Sequence, residues 1–334
     1  MAFHSFGYVA YFLPITLLGY LLLRRTPLCN AWLLGCSIYF YAVGNWWWVA
    51  PFFVSALFDY WMGLRMEATD AARMRRRLII LSCILNLGLL SVFKYTTWLS
   101  SEASVLAGMF GIALAPLVVP LPAGISFYTF QSMSYTIDIY RKELRASRNV
   151  IDYLCFVAFF PQLIAGPIMR ARDLLPQLSR PRELATAANV EHGLFMILFG
   201  LFLKMVLADN FGGIVESISQ MMRTTSSLPP GVGLLFAYAF AGQIYCDFAA
   251  YSLIAWGTAK LFNIELMRNF ATPYFATNPS DFWRRWHISL STWLRDYLYI
   301  TLGGNRYGVP RTLVNLTLTM VLGGLWHGAS VMFI

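Results

Sequence analysis

Two segments of the chain carry histidines among residue types that could perform acid–base chemistry. In the first, residues 278–297, Ser280 or Asp281 predicts a helix N-cap directly after Pro279. At about 100° per residue, such a helix places two arginines, an imidazole and a hydroxyl within roughly an 80° arc. This polar face consists of Arg284, His287, Ser291 and Arg295. The pattern favours a polar site lining a cavity, with an interfacial amphipathic helix and snorkelling arginines as the alternative.

The second segment surrounds His327, the only ionisable residue after Arg311. The run is otherwise apolar, and the nearby glycines Gly323, Gly324 and Gly328 allow close approach of a substrate or a neighbouring helix. An imidazole ordinarily titrates near pH 6.5 and can accept a hydroxyl proton, as general-base catalysis requires. We predict a buried, catalytic His327; a hydrogen-bonding role between packed helices is the alternative.

Three further sites place charge within apolar sequence. Asp247 has long uncharged stretches on both sides, so we predict that it faces the protein interior as an active-site residue or a structural partner. Asp138 and Arg141, three positions apart, predict an ion pair at a helix end. Lys204 is expected to snorkel or to pair with Asp209.

The composition indicates the class of protein that positions these residues. Of 334 residues, 58% are hydrophobic and 12% are charged, whereas soluble domains carry about 25% charged residues. The composition excludes a soluble enzyme and predicts a polytopic helical membrane protein. The net charge of +9 indicates basic loops beside an anionic leaflet rather than a nucleic-acid partner. The sequence has no Walker A, GxSxG, HExxH or CxxC motif, which argues against ATP-driven and zinc-dependent chemistry.

Long windows without charged residues predict the membrane segments. The window 28–58 is read as a helical hairpin whose turn carries the tryptophans at 46–48, and 153–169 is predicted to be broken at Pro161 and Pro167. Prolines at 116, 120 and 122 predict a shallow or re-entrant segment before the span at 124–140. The predicted segments are 6–23, 28–58, 78–93, 124–140, 153–169, 193–208, 231–262, 282–302 and 312–334.

Basic residues predict the orientation of these segments. Fifteen of the 25 lysines and arginines lie in four connections, 24–25, 65–77, 141–148 and 170–182. The positive-inside rule places all four in the cytoplasm and the N-terminus outside, which requires that 99–121 does not cross the membrane.

Several longer stretches resemble the membrane-bound O-acyltransferase (MBOAT) family, and within it the bacterial branch typified by the alginate O-acetylation membrane protein. The most extensive reads RNFATPY at 268–274 and DFWRRWHISLSTWLRDYLYI at 281–300, followed by LGGNR at 302–306. Others read PAGISFYTFQ at 122–131, FPQLIAGP at 160–167 and CDF at 246–248. The resemblance extends over essentially the whole chain.

The resemblance implies an all-α integral membrane bundle with broken or re-entrant helices around a central tunnel. It implies one transmembrane domain over 1–334 with its motif core at 246–330, incomplete at the C-terminus. It also implies that His327 corresponds to the family's essential active-site histidine and His287 to its second signature position. We expect both to be catalytic, with substrate bound by Arg284, Ser291, Trp326 and Asp247.

The resemblance also implies the reaction. An acyl group, expected to be acetyl, passes from a cytoplasmic thioester such as acetyl-CoA towards hydroxyls of an exported polysaccharide such as alginate, with no bound metal or cofactor. The implied setting is the bacterial inner membrane, crossed several times, with the lipid bilayer and a periplasmic acetyltransferase as partners. D-alanyl transfer to teichoic acid is the alternative within acyl transfer. A carrier, or a scaffold for polysaccharide export, is the non-enzymatic alternative.

Overall fold

The computed structural model describes residues 1–225 and 229–333, and in these ranges the chain forms helices and no β-strand. Short π-helical turns continue three of the helices at Tyr8–Phe12, Leu203–Ala208 and Leu294–Tyr299. The α-helices of the described ranges, numbered α1 to α14 in chain order, are Leu13–Leu23, Cys29–Ala42, Val49–Glu67, Ala72–Met109, Ile125–Tyr140, Val150–Ala158, Phe160–Leu163, Ala171–Leu178, Ala187–Phe202, Asp209–Thr224, Val232–Leu261, Pro279–Arg285, Ile288–Trp293 and Gly308–His327.

Three helices of the described residues are long and apolar enough to cross a membrane. They are Ala72–Met109, Ala187–Thr224 (α9 and α10 joined by a π turn) and Val232–Leu261. The last agrees with the predicted 231–262. The first two contain 38 residues each and extend well past the predicted 78–93 and 193–208. Charged and small polar residues continue these helices beyond their apolar windows, and a window of uncharged sequence cannot detect that continuation.

The hairpin prediction for 28–58 is confirmed. Helices α2 and α3 are joined by a turn whose single 3₁₀ segment is Trp46–Trp48. Pro51 lies in the first turn of α3, where a missing N–H costs no hydrogen bond. The broken character of 153–169 is confirmed as well, since α6 ends at Ala158 and the four-residue α7 follows Phe159.

The segment between α4 and α5 folds back along the end of α4. Thr97 and Ser100 of α4 bond to backbone groups of Val119 and Leu117, so the non-helical chain from 111 to 123 runs back beside the helix. Gly124, the N-cap of α5, has φ of 74°, and a Cβ there would lie 2.4 Å from the carbonyl oxygen of Leu163. Residues 99–121 therefore reverse direction within their own length; their position relative to the membrane stays a prediction.

Basic connections gather at one end of the bundle. Arg75, at the start of α4, donates to the carbonyl oxygens of Ile139 and Tyr140, at the end of α5, over 2.6 and 3.0 Å. Ion pairs join the same connections, namely Lys142–Asp70, Arg148–Glu67 and Arg172–Glu143. The N-terminal amine of Met1, which belongs to no basic connection, bonds to the carbonyl oxygen of Phe40 near the C-terminal end of α2. The predicted grouping of the connections at 65–77, 141–148 and 170–182 is therefore confirmed.

Candidate functional site

The helix predicted over 282–302 is interrupted at His287. Helix α12 ends at Arg285, Trp286 is extended, and His287 has a left-handed backbone with φ of 41° before α13 begins. The N-cap is Asn278, whose side chain accepts from the Asp281 N–H over 2.9 Å, rather than Ser280 or Asp281 themselves. The predicted helical face was therefore wrong. The prediction rested on the periodicity of neighbouring residues, whereas the break at His287 is stabilised by a segment distant in sequence.

That distant segment is the chain at 269–271. The N–H of Ala271 donates to the carbonyl oxygen of Arg285, and the N–H of Ile288 donates to that of Asn269, over 3.0 and 2.9 Å. These two bonds bracket His287. They supply backbone partners that a continuous helix would have provided internally, which stabilises the positive φ at a residue with a Cβ.

The side chain of Asn269 holds the imidazole itself. Its Oδ1 lies 3.1 Å from His287 Nδ1 and also accepts from the Ser289 hydroxyl over 2.8 Å. The backbone N–H of Ser289 also donates to Oδ1, over 3.3 Å, which assigns the oxygen to the histidine side because an N–H can only donate; Nδ2 then donates to Ser252 Oγ over 3.1 Å. All four residues are buried. Sequence reasoning missed Asn269, although it lies within the RNFATPY stretch that carried the family resemblance.

This geometry determines the tautomer of His287. Because Asn269 Oδ1 is an acceptor, the neutral imidazole must carry its proton on Nδ1. Nε2 is then a lone-pair acceptor, and it has no hydrogen-bond partner among the described residues although it is fully buried. A buried, oriented nitrogen with a free lone pair can bind or deprotonate a hydroxyl group.

Aromatic rings enclose His287. The ring of Phe248 meets the imidazole edge-on with centroids 4.6 Å apart, and Phe127 and Trp326 lie at 6.4 and 6.5 Å. This enclosure excludes bulk water from one side of the ring, and it makes any polar contact at Nε2 stronger than it would be in water.

Trp326 links the two predicted histidines. Its ring centroid lies 6.5 Å from that of His287 and 5.5 Å from that of His327, its neighbour in the chain, so both imidazoles flank one indole, and the three rings are called the histidine cluster below. The indole stacks on Phe130 at 5.0 Å and donates through Nε1 to the carbonyl oxygen of Ser126 over 3.3 Å. With its N–H and a ring face occupied, Trp326 acts here as a packing residue. Its predicted substrate contact stays a prediction.

His327 is the last residue of α14 and is exposed, which differs from the buried position predicted from the apolar sequence around it. The buried residues of α14 are Asn315, Thr319 and Trp326, so little protein in the described ranges packs over this helix. The sequence pattern reports an apolar neighbourhood, but it does not distinguish lipid-facing from protein-facing surface.

Helix α4 contributes two residues that sequence reasoning did not select. Lys94 Nζ and the Tyr95 hydroxyl bond to the carbonyl oxygens of Trp326 and Leu325. The last carbonyls of a helix have no partner within the helix, and a cation there also complements the helix dipole. Lys94 and Tyr95 therefore fix the end of α14 from which His327 projects.

The other predicted residues of the first segment do not converge on His287. Arg284 is exposed on α12, and Arg295 pairs with the neighbouring Asp296. The Ser291 hydroxyl donates to the carbonyl oxygen of Trp286 over 3.1 Å, so it stabilises the break rather than facing the imidazole. Substrate binding by Arg284 and Ser291 stays a prediction.

Asp247 does not face the interior as predicted. Its side chain is half exposed and pairs with Lys204 over 2.8 Å, while Lys204 also pairs with Asp209 over 3.0 Å. The Lys204–Asp209 prediction is confirmed. Neutralisation by a lysine on the adjacent helix allows the Asp247 carboxylate to lie on the outer surface of an apolar bundle, and no local pattern reveals this partner.

The prediction of an ion pair between Asp138 and Arg141 was also wrong. Asp138 accepts from the Tyr297 hydroxyl over 2.7 Å, while Arg141 donates to Thr301 and lies over the Tyr297 ring. Arg170 lies over the same ring and pairs with Asp296 over 2.6 Å. This network ties α5 to the π turn that follows α13.

Metal coordination has no evident basis within 1–225 and 229–333, where no group of three or more histidine, cysteine, aspartate or glutamate side chains is arranged to hold an ion. The residues that the structure brings together are the two imidazoles, Asn269, Lys94 and surrounding aromatic rings. This set can exchange protons and orient a hydroxyl or carbonyl group.

Comparison with known proteins places the chain in a family. The chain is 41% identical, over its whole length, to a probable alginate O-acetylase of Pseudomonas syringae and covers 64% of that protein. It is 35% identical over its whole length to a peptidoglycan O-acetyltransferase of Helicobacter pylori, covering 68% of it. A teichoic acid D-alanyltransferase of Bacillus subtilis matches 63% of the chain at 28% identity, with 55% of that protein covered.

The chain thus spans about two thirds of the length of the alginate O-acetylases that it matches. A family model described as membrane-bound O-acyltransferase matches residues 33–334, a range that includes both histidines, Asn269 and Lys94. Because the family model matches residues 33–334, and because relatives are 35–41% identical over the whole of this chain, the chain belongs to the membrane-bound O-acyltransferase (MBOAT) family.

Proposed function

We propose that the protein transfers an acyl group from a thioester to a hydroxyl group at the His287–His327 cluster. The observation that carries the proposal is the buried His287 imidazole, whose Nδ1 contacts Asn269 and whose Nε2 has no hydrogen-bond partner within 1–225 and 229–333. Family membership supplies the reaction class, and the cluster supplies groups suited to it.

In this reaction the acceptor oxygen attacks the thioester carbonyl carbon, so a C–O bond forms and the C–S bond breaks. We assign His327 as the base that removes the hydroxyl proton and returns it to the departing thiolate. A thioester is already activated towards acyl transfer, so the proposal requires no metal ion and no ATP.

His287 has a different role because its tautomer limits it. With the proton on Nδ1, Nε2 can accept a hydrogen bond but cannot donate one to an oxyanion. A role as hydrogen-bond donor to the oxyanion therefore does not fit the neutral imidazole. We propose instead that Nε2 accepts a hydrogen bond from the acceptor molecule and holds it beside His327.

Acetyl is the proposed acyl group, and a cell-envelope polysaccharide is the proposed destination. Relatives that match the full chain at 35–41% identity are named for O-acetylation, either of alginate or of peptidoglycan. The D-alanyltransferase matches a smaller part of the chain at lower identity, which makes D-alanyl transfer the second candidate. Acetyl-CoA is the proposed donor.

We further propose a multi-pass location in the bacterial inner membrane, with the basic end of the bundle in the cytoplasm. Ion-paired connections at that end carry most of the basic residues, as the positive-inside rule requires. A donor thioester would then enter from the basic end, and a periplasmic acetyltransferase would complete delivery to the polymer.

Mass spectrometry of envelope polysaccharide tests the function directly. We expect ester-linked acetate in wild-type cells and its loss on deletion or with His287→Ala or His327→Ala at unchanged membrane abundance. His192→Ala is the matched control, because His192 packs on Trp256 outside the cluster. D-alanyl esters in place of acetate would favour the second candidate. Normal acetylation in the double histidine variant would leave only a carrier or scaffold role.

A further inference from the structure

A basic cleft lies at the end of the bundle where α1 meets α2, well separated in sequence from the histidine cluster. Its volume is about 260 Å³, and its walls come from the α1–α2 turn, the start of α6 and the chain after α8. Four arginines line it, accompanied by amide and hydroxyl groups. They are Arg24, Arg25, Arg180 and Arg182, with Asn30, Asn149 and Ser179.

Arg182 is the unusual member, because its side chain is buried with 6% of its surface exposed. Its Nη2 donates to Asn30 Oδ1 over 2.8 Å and to the carbonyl oxygen of Leu178 over 3.3 Å. Its Nη1 is also buried and has no partner among the described residues. Buried guanidinium groups are ordinarily satisfied, so Nη1 is a charged donor whose hydrogen bond no residue of the described ranges accepts.

The cleft carries an excess of positive charge. Asp152 is the one acidic residue of its lining, so four arginines and one aspartate leave a net charge of +3. Asp152 already accepts from Asn30 Nδ2 over 2.7 Å, and no ion pair joins it to an arginine among the described residues. A phosphate group satisfies guanidinium donors in a bidentate manner and matches this charge.

The surroundings favour a phosphate group carried by a lipid. Leu28, in the α1–α2 turn, is 59% exposed, and Leu184, two positions after Arg182, is 54% exposed. The apolar helix Tyr8–Leu23 leads directly into Arg24. A cleft of this charge beside apolar surface, at the basic end of the bundle, has the features of a site for an anionic headgroup.

We propose that this cleft binds the phosphate headgroup of an anionic membrane lipid. The arginines provide the headgroup contacts, Arg182 Nη1 supplies the innermost hydrogen bond, and the acyl chains lie along the exposed leucines. The site does not depend on the proposed acyl transfer, since the histidine cluster contributes no residue to it.

Native mass spectrometry of the purified protein, with phosphatidylglycerol or phosphatidylcholine added at equal concentration, tests the site. We expect one phosphatidylglycerol to remain bound where phosphatidylcholine does not. Arg182→Gln, and separately Arg24→Gln with Arg25→Gln, should weaken retention by about fivefold for each arginine removed. Arg145→Gln is the control, since Arg145 is an exposed arginine outside the cleft.

The surface double variant keeps the test valid if the buried Arg182→Gln protein does not fold. Competition with inorganic phosphate or coenzyme A distinguishes the source of the phosphate. Equal retention of both lipids, unchanged retention in the Arg24 and Arg25 variant, or displacement by coenzyme A at micromolar concentration would each overturn the lipid assignment.

Discussion

Replacing Asn269 by leucine removes the side chain that contacts His287 Nδ1 and so orients the imidazole. Three buried donors lose their acceptor, namely the Nδ1–H of His287 and the N–H and O–H groups of Ser289. Each unsatisfied buried donor costs about 1–3 kcal/mol, so the free energy of unfolding should fall by at least about 3 kcal/mol. The imidazole is then free to rotate or to change tautomer.

The loss of activity should exceed what the loss of stability explains. In metal sites, removing an outer residue that orients a ligating imidazole typically costs about 10- to 100-fold in affinity or activity, and we apply the same scale to His287. We expect Asn269→Leu to lower the rate of acyl transfer per mole of membrane-inserted protein by about 100-fold. The assay is transfer of labelled acetyl from acetyl-CoA to polymer, normalised to the amount of folded protein.

Two companion variants make the result interpretable. Ser252→Ala removes the acceptor for Asn269 Nδ2 but leaves the Oδ1 contacts intact, so the rate should fall by no more than about fivefold, the value of one neutral hydrogen bond. Asn315→Leu replaces another buried amide, one that donates to the Gly304 carbonyl oxygen. It should lower stability without a comparable fall in the normalised rate. A wild-type rate in Asn269→Leu would refute the orienting role.

Three other contacts give simpler predictions. Tyr297→Phe leaves the Asp138 carboxylate without its hydroxyl donor, and it should lower the free energy of unfolding by about 1–3 kcal/mol, measured by thermal unfolding in detergent. Lys204→Met leaves Asp247 unpaired in apolar surroundings and should reduce membrane abundance on immunoblots. Adding Asp247→Asn should restore that abundance if the ion pair is the cause. A cysteine at Arg145 should react with an impermeant maleimide in inverted vesicles and not in intact spheroplasts; the reverse would contradict the assigned orientation.

Sequence patterns predicted those parts of the fold that depend on local chemistry. The hairpin turn at Trp46–Trp48 and the helix at Ile125–Tyr140 follow from interruptions by glycine, asparagine and proline in apolar sequence. The grouping of basic connections follows from charge asymmetry alone. These features need no knowledge of which helices are neighbours.

The remaining features depend on partners that are distant along the chain. The break at His287 is stabilised by Asn269, 18 positions earlier, and the local sequence is compatible with a continuous helix. Asp247 is neutralised by Lys204 of another helix. Lys94 and Trp326, which meet through a backbone carbonyl, are 232 positions apart. Periodicity within one helix cannot identify such pairs.

A double-mutant cycle on the two histidines tests most directly whether they form one acyl-transfer site. If both act on the same acceptor, His287→Ala and His327→Ala should each lower the normalised rate by about 10³-fold. The double variant should be little worse than either single variant, because groups that act as a unit are strongly non-additive. Losses that multiply, or a single variant with the full rate, would show that the imidazoles do not share one reaction centre.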